Sequence, residues 1–173
     1  MNDRDITARI ASGDPGALRE AYDLCARELF MFARALTNGN SSDAEDVLQE
    51  CFIRLWEGRR HLASVRNIRA YLFTTLRNAY LNFVRAESRE MKRRAGNAGL
   101  IVAGPPDDPV RAEELDEALG SLPEEQRQVI VLKVWGGLTL AEIAGVLDES
   151  QNTVASRYRY GLNKLRKSLG DVQ

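Results

Sequence analysis

The residues best placed to do chemistry lie on one face of a C-terminal stretch, and that chemistry is recognition rather than bond making. From Leu138 to Leu169 the chain reads LTLAEIAGVLDESQNTVASRYRYGLNKLRKSL. Val154, Tyr158, Gly161, Leu165 and Leu169 recur at spacings of three and four, as one buried helical face requires. At about 100 degrees per residue the opposite face carries Asn152, Ser156, Arg159, Tyr160 and Asn163, with Arg157 at its flank. Amide, hydroxyl and guanidinium groups so arranged can reach base edges and phosphates in a DNA major groove. The same pattern also fits an ordinary helical hairpin with a solvated polar face. Covalent chemistry has little to work with. There is one histidine, His61, and no metal-spaced ligand cluster, phosphate-cradling glycine loop or nucleophile motif. Cys25 and Cys51 each fall on a predicted apolar stripe and read as small core residues. No metal, no cofactor and no enzymatic activity are expected.

Those side chains need helices to hold them. Thr139 with Glu142 forms a capping box, and Leu138 with Ile143 a hydrophobic staple, so one helix starts at Thr139. Asp148, Glu149 and Ser150 break the pattern before the basic helix, giving a helix-turn-helix. Upstream, Asp14-Pro15 reads as an N-cap followed by proline at the first helical position. Leu18, Tyr22, Cys25, Leu29, Phe32 and Leu36 then mark a long amphipathic helix that ends near Thr37-Asn38-Gly39. Ser42 with Glu45 makes a second capping box, followed by apolar positions Val47, Leu48, Cys51 and Leu55 with Phe52 and Trp56 flanking. Gly58 to Asn67 is polar, basic and aperiodic, which predicts a loop. Ile68, Leu72, Leu76, Ala79 and Phe83 mark a third long helix.

Ala95 to Pro109, rich in glycine and proline, reads as an interdomain linker. Ser121-Leu122-Pro123-Glu124 opens a further helix. Val129 to Leu132 is a β-branched run that propensity would make a strand, and its helical neighbours overrule that. The expectation is an all-α chain of two small helical domains: residues 1–94, a linker over 95–110, and residues 111–173.

The net charge of −1 conceals segregation: residues 1–53 carry −5, 54–94 carry +8, 95–150 carry −8 and 151–173 carry +4. Two basic blocks imply two polyanion-facing surfaces, each joined to an acidic segment. No apolar run approaches the roughly 20 residues of a membrane span, and MNDRDITARI lacks the regions of a signal peptide. A cytoplasmic protein is expected.

Four stretches in this order support a resemblance: DAEDVLQECFIRLWE at 43–57, RAYLFTTLRNAYLNFVR at 69–85, LPEEQRQVIVLKVWGGLTLAEIA at 122–144 and NTVASRYRYGLNKLRKSL at 152–169. Together they resemble a bacterial RNA polymerase sigma factor of the extracytoplasmic-function group. The resemblance implies sigma regions two and four, joined by a flexible linker, which confer promoter specificity at a stress- or signal-responsive regulon. It implies as partners the RNA polymerase core (clamp helices and flap), promoter DNA and an anti-sigma factor, often membrane-bound. A stand-alone helix-turn-helix regulator is the alternative, and no dimerisation segment or effector pocket speaks for it.

Residue by residue, the resemblance assigns core binding to Asp43, Asp46, Gln49, Glu50 and Arg54. It assigns minus-ten capture to the following basic block. There Arg59, Arg60, Arg66, Arg69 and Arg85 would meet phosphates, His61 and Tyr71 would stack or make polar contacts, and Asn67, Asn78 and Asn82 would meet base edges. Tyr71 equally fits core packing. Asn82 stands where the family often has aspartate. Minus-thirty-five reading falls to Gln151, Asn152, Thr153, Ser156, Arg157, Arg159 and Tyr160. Ala155 and Tyr160 replace residues that are basic in many relatives, and Gln151-Asn152 replaces an apolar-glycine pair.

Overall fold

The computed structural model describes residues 3–91 and 117–170. The 95–110 linker, with the apolar triplet Leu100-Ile101-Val102 that interrupts its polar sequence, lies outside the described residues. Every regular element described is helical: α1 (Asp3–Ala11), α2 (Pro15–Leu36), α3 (Ser41–Glu57), a 3-10 helix (Arg59–Ser64), α4 (Ile68–Met91), α5 (Glu124–Val134), α6 (Leu140–Leu147) and α7 (Gln151–Gly170).

Local chemistry accounts for most of the ends. Asp14 caps α2 by accepting from the Gly16 amide, with Pro15 at the first helical position. Its chain turns out through Asn38 (φ 53°) and Gly39 (φ 85°), left-handed conformations that asparagine and glycine tolerate. The expected Ser42 capping box is not what starts α3. Asn40 is the cap, accepting from the Asp43 amide, and Ser41 is already helical. An asparagine side chain reaches the third amide of a helix as well as a serine does, and it stands first in the chain. The predicted loop over 58–67 contains the 3-10 helix, held at its end by the Val65 amide donating to the Leu62 carbonyl. Short 3-10 turns lack a 3.6-residue stripe and so escape periodicity.

The N-terminal helices α2, α3 and α4 pack side by side, and α1 lies against α2 and the 3-10 helix. Helix α1 is too short to show a sustained apolar stripe, yet Ile6 and Ile10, one turn apart, are buried. Arg9 ties it to α2, donating to Asp14 at 3.0 Å and to Glu20 at 2.8 Å. The Arg9 guanidinium holds the Asp14 carboxyl below the usual carboxylate range. Cys25 and Cys51 are buried free thiols, as expected, and burial pushes Cys51 up to about 12.

The C-terminal helices α5, α6 and α7 form the second group. Val129, Ile130, Val131 and Leu132 are helical and fully buried, so tertiary context overrides the strand propensity. That burial on both sides of α5 has a second cause: α2 packs on α5, and α4 on α6. One continuous apolar core therefore runs through both groups.

Candidate functional site

The helix-turn-helix is built as its sequence foretells. Thr139 accepts from the Glu142 amide at 3.2 Å, and the Glu142 carboxylate accepts from the Thr139 amide at 2.7 Å and its hydroxyl at 2.8 Å. These bonds, the Thr139 amide first, hold the Glu142 carboxyl below its ordinary range; an amide bond from Asn67 adds to them. Asp148 closes α6 in the left-handed conformation. Ser150 then caps α7, accepting from the Thr153 amide at 3.1 Å. Val154 and Gly161 are buried, and a Cβ on Gly161 would stand 3.1 Å from Ile130 on α5. Gln151, Asn152, Arg159 and Tyr160 face outward, with Thr153, Ser156 and Arg157 half-exposed. Arg157 donates to Glu149 in the turn at 3.0 Å, and the Arg159 guanidinium lies 5.2 Å from the Tyr160 ring.

The basic block divides. Arg60, His61, Arg66, Asn78 and Arg85 are exposed and Asn82 half-exposed, a cationic and amide-bearing surface along the 3-10 helix and α4. Arg59 lies over Trp56, 4.7 Å from its ring centroid, and donates to the Trp56 carbonyl at 2.9 Å. Tyr71 packs half-buried against the core. Asn67 and Arg69 are turned elsewhere. Asn67 accepts from the Ala70 amide at 2.9 Å and donates to Glu142 at 2.6 Å, while Arg69 reaches the Gly136 carbonyl at 3.4 Å.

Beside α3 the surface is more apolar than its sequence pattern implies. Tyr22 is 46% exposed and Ile53 45% exposed. With Leu18, Phe52 and Trp56 they line a groove of about 570 Å³ between α2 and α3. The periodicity of α2 puts Tyr22 on the core stripe. Its ring instead meets Phe52 edge-on, with centroids 5.0 Å apart, at the groove mouth. Of the expected core-binding residues only Gln49 lines the groove. Asp46 is exposed, Asp43 half-exposed, and Glu50 pairs with Arg54 at 2.6 Å.

Family models match this chain in two places: Sigma-70 region 2 over residues 21–90 and Sigma-70, region 4 over residues 112–165. The ECF RNA polymerase sigma factor SigL of Mycobacterium tuberculosis is 32% identical, over 94% of each chain. SigW of Bacillus subtilis, also an ECF RNA polymerase sigma factor, is 29% identical over 95% of each. The chain belongs to the ECF RNA polymerase sigma factors. Among solved structures, the sigma factor RpoE in complex with the anti-sigma factor NepR from Bartonella quintana superposes with a TM-score of 0.73 at 25% identity, covering 90% of this chain and 98% of that one. CnrH in complex with the cytosolic domain of CnrY gives 0.70 at 26%, covering 99% of each.

This ECF sigma factor thus serves promoter-specific transcription initiation. Its domains belong to a family that binds core RNA polymerase and promoter DNA without catalysis of its own, and the stand-alone regulator reading is not favoured. Among the described residues no helix is long and apolar enough to cross a membrane, and no three or more His, Cys, Asp or Glu side chains gather as a metal site would need. Two sets of residues escaped sequence reasoning. Ile53 carried a usable signal, an apolar residue on the polar face of an amphipathic helix. Asn38, Arg127 and Glu142 carried none, because their partners lie 75 to 89 positions away.

Proposed function

We propose that this sigma factor works through three surfaces. The groove between α2 and α3, with Asp43, Asp46, Gln49, Glu50 and Arg54 on and beside it, receives the basic clamp helices of the polymerase core. An apolar slot rimmed by carboxylates suits a cationic amphipathic helix, because the slot supplies burial and the rim supplies register. The 3-10 helix and α4 capture the opened minus-ten strand. There Arg59, Arg60, Arg66, Arg69 and Arg85 serve phosphates, while His61, Tyr71, Asn67, Asn78 and Asn82 serve bases. Stacking on aromatics contributes ~1–3 kcal/mol per base, comparable with the cost of unstacking.

The third surface, on α7, enters the major groove of the minus-thirty-five element with Gln151, Asn152, Thr153, Ser156, Arg157, Arg159 and Tyr160. The observation that carries the reading is the polarity of α7: its inward face is locked by Val154 and Gly161, and its outward face of amides, hydroxyls and guanidinia stays open. In this reading residues 1–94 and 111–173 are separate functional domains, and the chain performs no chemistry of its own. It acts in the cytoplasm on a stress- or signal-responsive regulon, and an anti-sigma factor restrains it. Two similar solved structures are complexes with such restraining partners or a cytosolic domain.

Reconstitution with core polymerase and a promoter library tests the proposal. Promoter-specific run-off transcription is the expected result. Specific DNA binding without core and no stimulated transcription would overturn it.

A further inference from the structure

At one end of the seam between the two helical groups lies a cavity of about 60 Å³, enclosed by the last turns of α2 and the start of α5. Met31, Ala35 and Leu119 form its apolar wall, and the guanidinium-bearing side chains of Arg34 and Arg127 line it as well. Asn38 and Gly39, exposed residues of the turn after α2, stand at its mouth. One water needs ~10–15 Å³ of such space, so the cavity has room for a group as large as a tetrahedral oxyanion.

Arg127 lacks the partner that its burial calls for. It is only 8% exposed, and arginine is almost never buried unless an anion pairs with it. Here Nη2 donates to Asn38 Oδ1 at 2.6 Å, a neutral acceptor, and Nε is enclosed without a hydrogen-bond partner. Glu124, one turn back, is exposed and bonded to Gln128 at 2.8 Å instead. The carbonyl end of α2 offers only roughly half a negative charge, less than one guanidinium carries. A water could satisfy Nε, but it brings no charge. Arg34 turns toward the same space, its Nη2 reaching the Gly39 carbonyl at 3.5 Å.

We propose that this cavity is an anion site, in which a phosphate group accepts from Arg127 and Arg34. A tetrahedral dianion presents oxygens to both guanidinium forks at once, whereas a planar carboxylate satisfies one fork. The open mouth beside Gly39 leaves room for whatever the phosphate is attached to, so free phosphate and a nucleotide phosphate share this chemistry. An occupant bonded to both arginines bridges α2 and α5, and its binding must therefore appear as stability of the full chain. None of these residues belongs to the three surfaces proposed above, and the site does not depend on those assignments.

Calorimetry and thermal unfolding of the full chain in sodium phosphate, against sodium chloride at equal ionic strength, test the site. Phosphate should bind saturably at one site per chain and raise the unfolding midpoint. R127M keeps an unbranched side chain in place without its charge. Binding there should be about tenfold weaker or lost, since a charge-assisted bidentate bond is gone. M31E leaves Arg127 and its bond to Asn38 in place but puts a carboxylate on the cavity wall. It should abolish phosphate binding and raise the midpoint in chloride. Should R127M fail to fold, M31E decides alone. Stabilisation by phosphate that does not saturate, and is equal in parent and R127M, would mark general exclusion of the salt from the protein surface and overturn the site. Undiminished binding in M31E would overturn it too. A nucleoside monophosphate that binds the parent at least as tightly as phosphate, and loses affinity in the variants, identifies the group as the end of a larger ligand. Weaker binding than phosphate identifies the free ion.

Discussion

Arg157 sits at the flank of the outward face of α7, within reach of the turn. Its guanidinium is engaged by Glu149 at 3.0 Å, an exposed pair that contributes little to stability. If it contacts a base, R157A should weaken minus-thirty-five recognition by ~1–3 kcal/mol, measured as promoter selectivity in competition transcription. Equal selectivity in the variant would remove Arg157 from the code. Glu142 makes a pH-dependent prediction. Its folded carboxyl titrates below the ordinary range because the Thr139 amide and hydroxyl, and then Asn67, favour the charged form. It therefore contributes stability above the unfolded value and loses it as pH falls through the lower, folded one. Urea unfolding across that acid range should show a steeper loss in the parent than in E142Q.

At the scale of elements, the connection between α5 and α6 shows why particular glycines are needed. Gly137 adopts φ 65°, and a Cβ on Gly136 would meet the Leu132 carbonyl oxygen at 2.5 Å as well as the Phe73 ring. Neither the backbone nor a fully buried phenylalanine can give way cheaply, so G136A should cost ~1–3 kcal/mol of unfolding free energy, readable by chemical denaturation. Helix starts with a side-chain cap were legible in sequence: Asp14-Pro15 and Thr139 with Glu142 stand where the pattern sets them. The start of α3 was misread by two positions because Asn40, Ser41 and Ser42 are all competent caps, and only the path of the entering chain selects one. Tyr22 and Ile53 were misplaced for a related reason. A helical wheel assigns one buried stripe, whereas α2 and α3 share an open groove whose lining is apolar and half-solvated.

For the whole molecule, the decisive feature is a core that does not stop at the domain border. Phe73 on α4 stacks edge-on with Phe32 on α2 at 5.6 Å and also abuts the α5–α6 turn. F73A should therefore cost ~3–5 kcal/mol, and it should lower the unfolding midpoint of both helical groups together, measured by fluorescence of Trp56 and Trp135. Loss confined to the Trp56 signal would mean that the seam carries no cooperativity.

The sequence alone determined the helical class, the helix-turn-helix with the capping box of its first helix, the acidic and basic blocks, and the membership that four ordered stretches imply. All of these are encoded within a turn or two of chain, where capping and the 3.6-residue period act. Tertiary structure alone decided that Asn67 and Arg69 face a second domain, that Arg127 is buried against Asn38, and that Tyr22 and Ile53 open a groove. Each of those outcomes depends on which helix lies opposite. That depends on packing between segments dozens of residues apart, which no local pattern specifies.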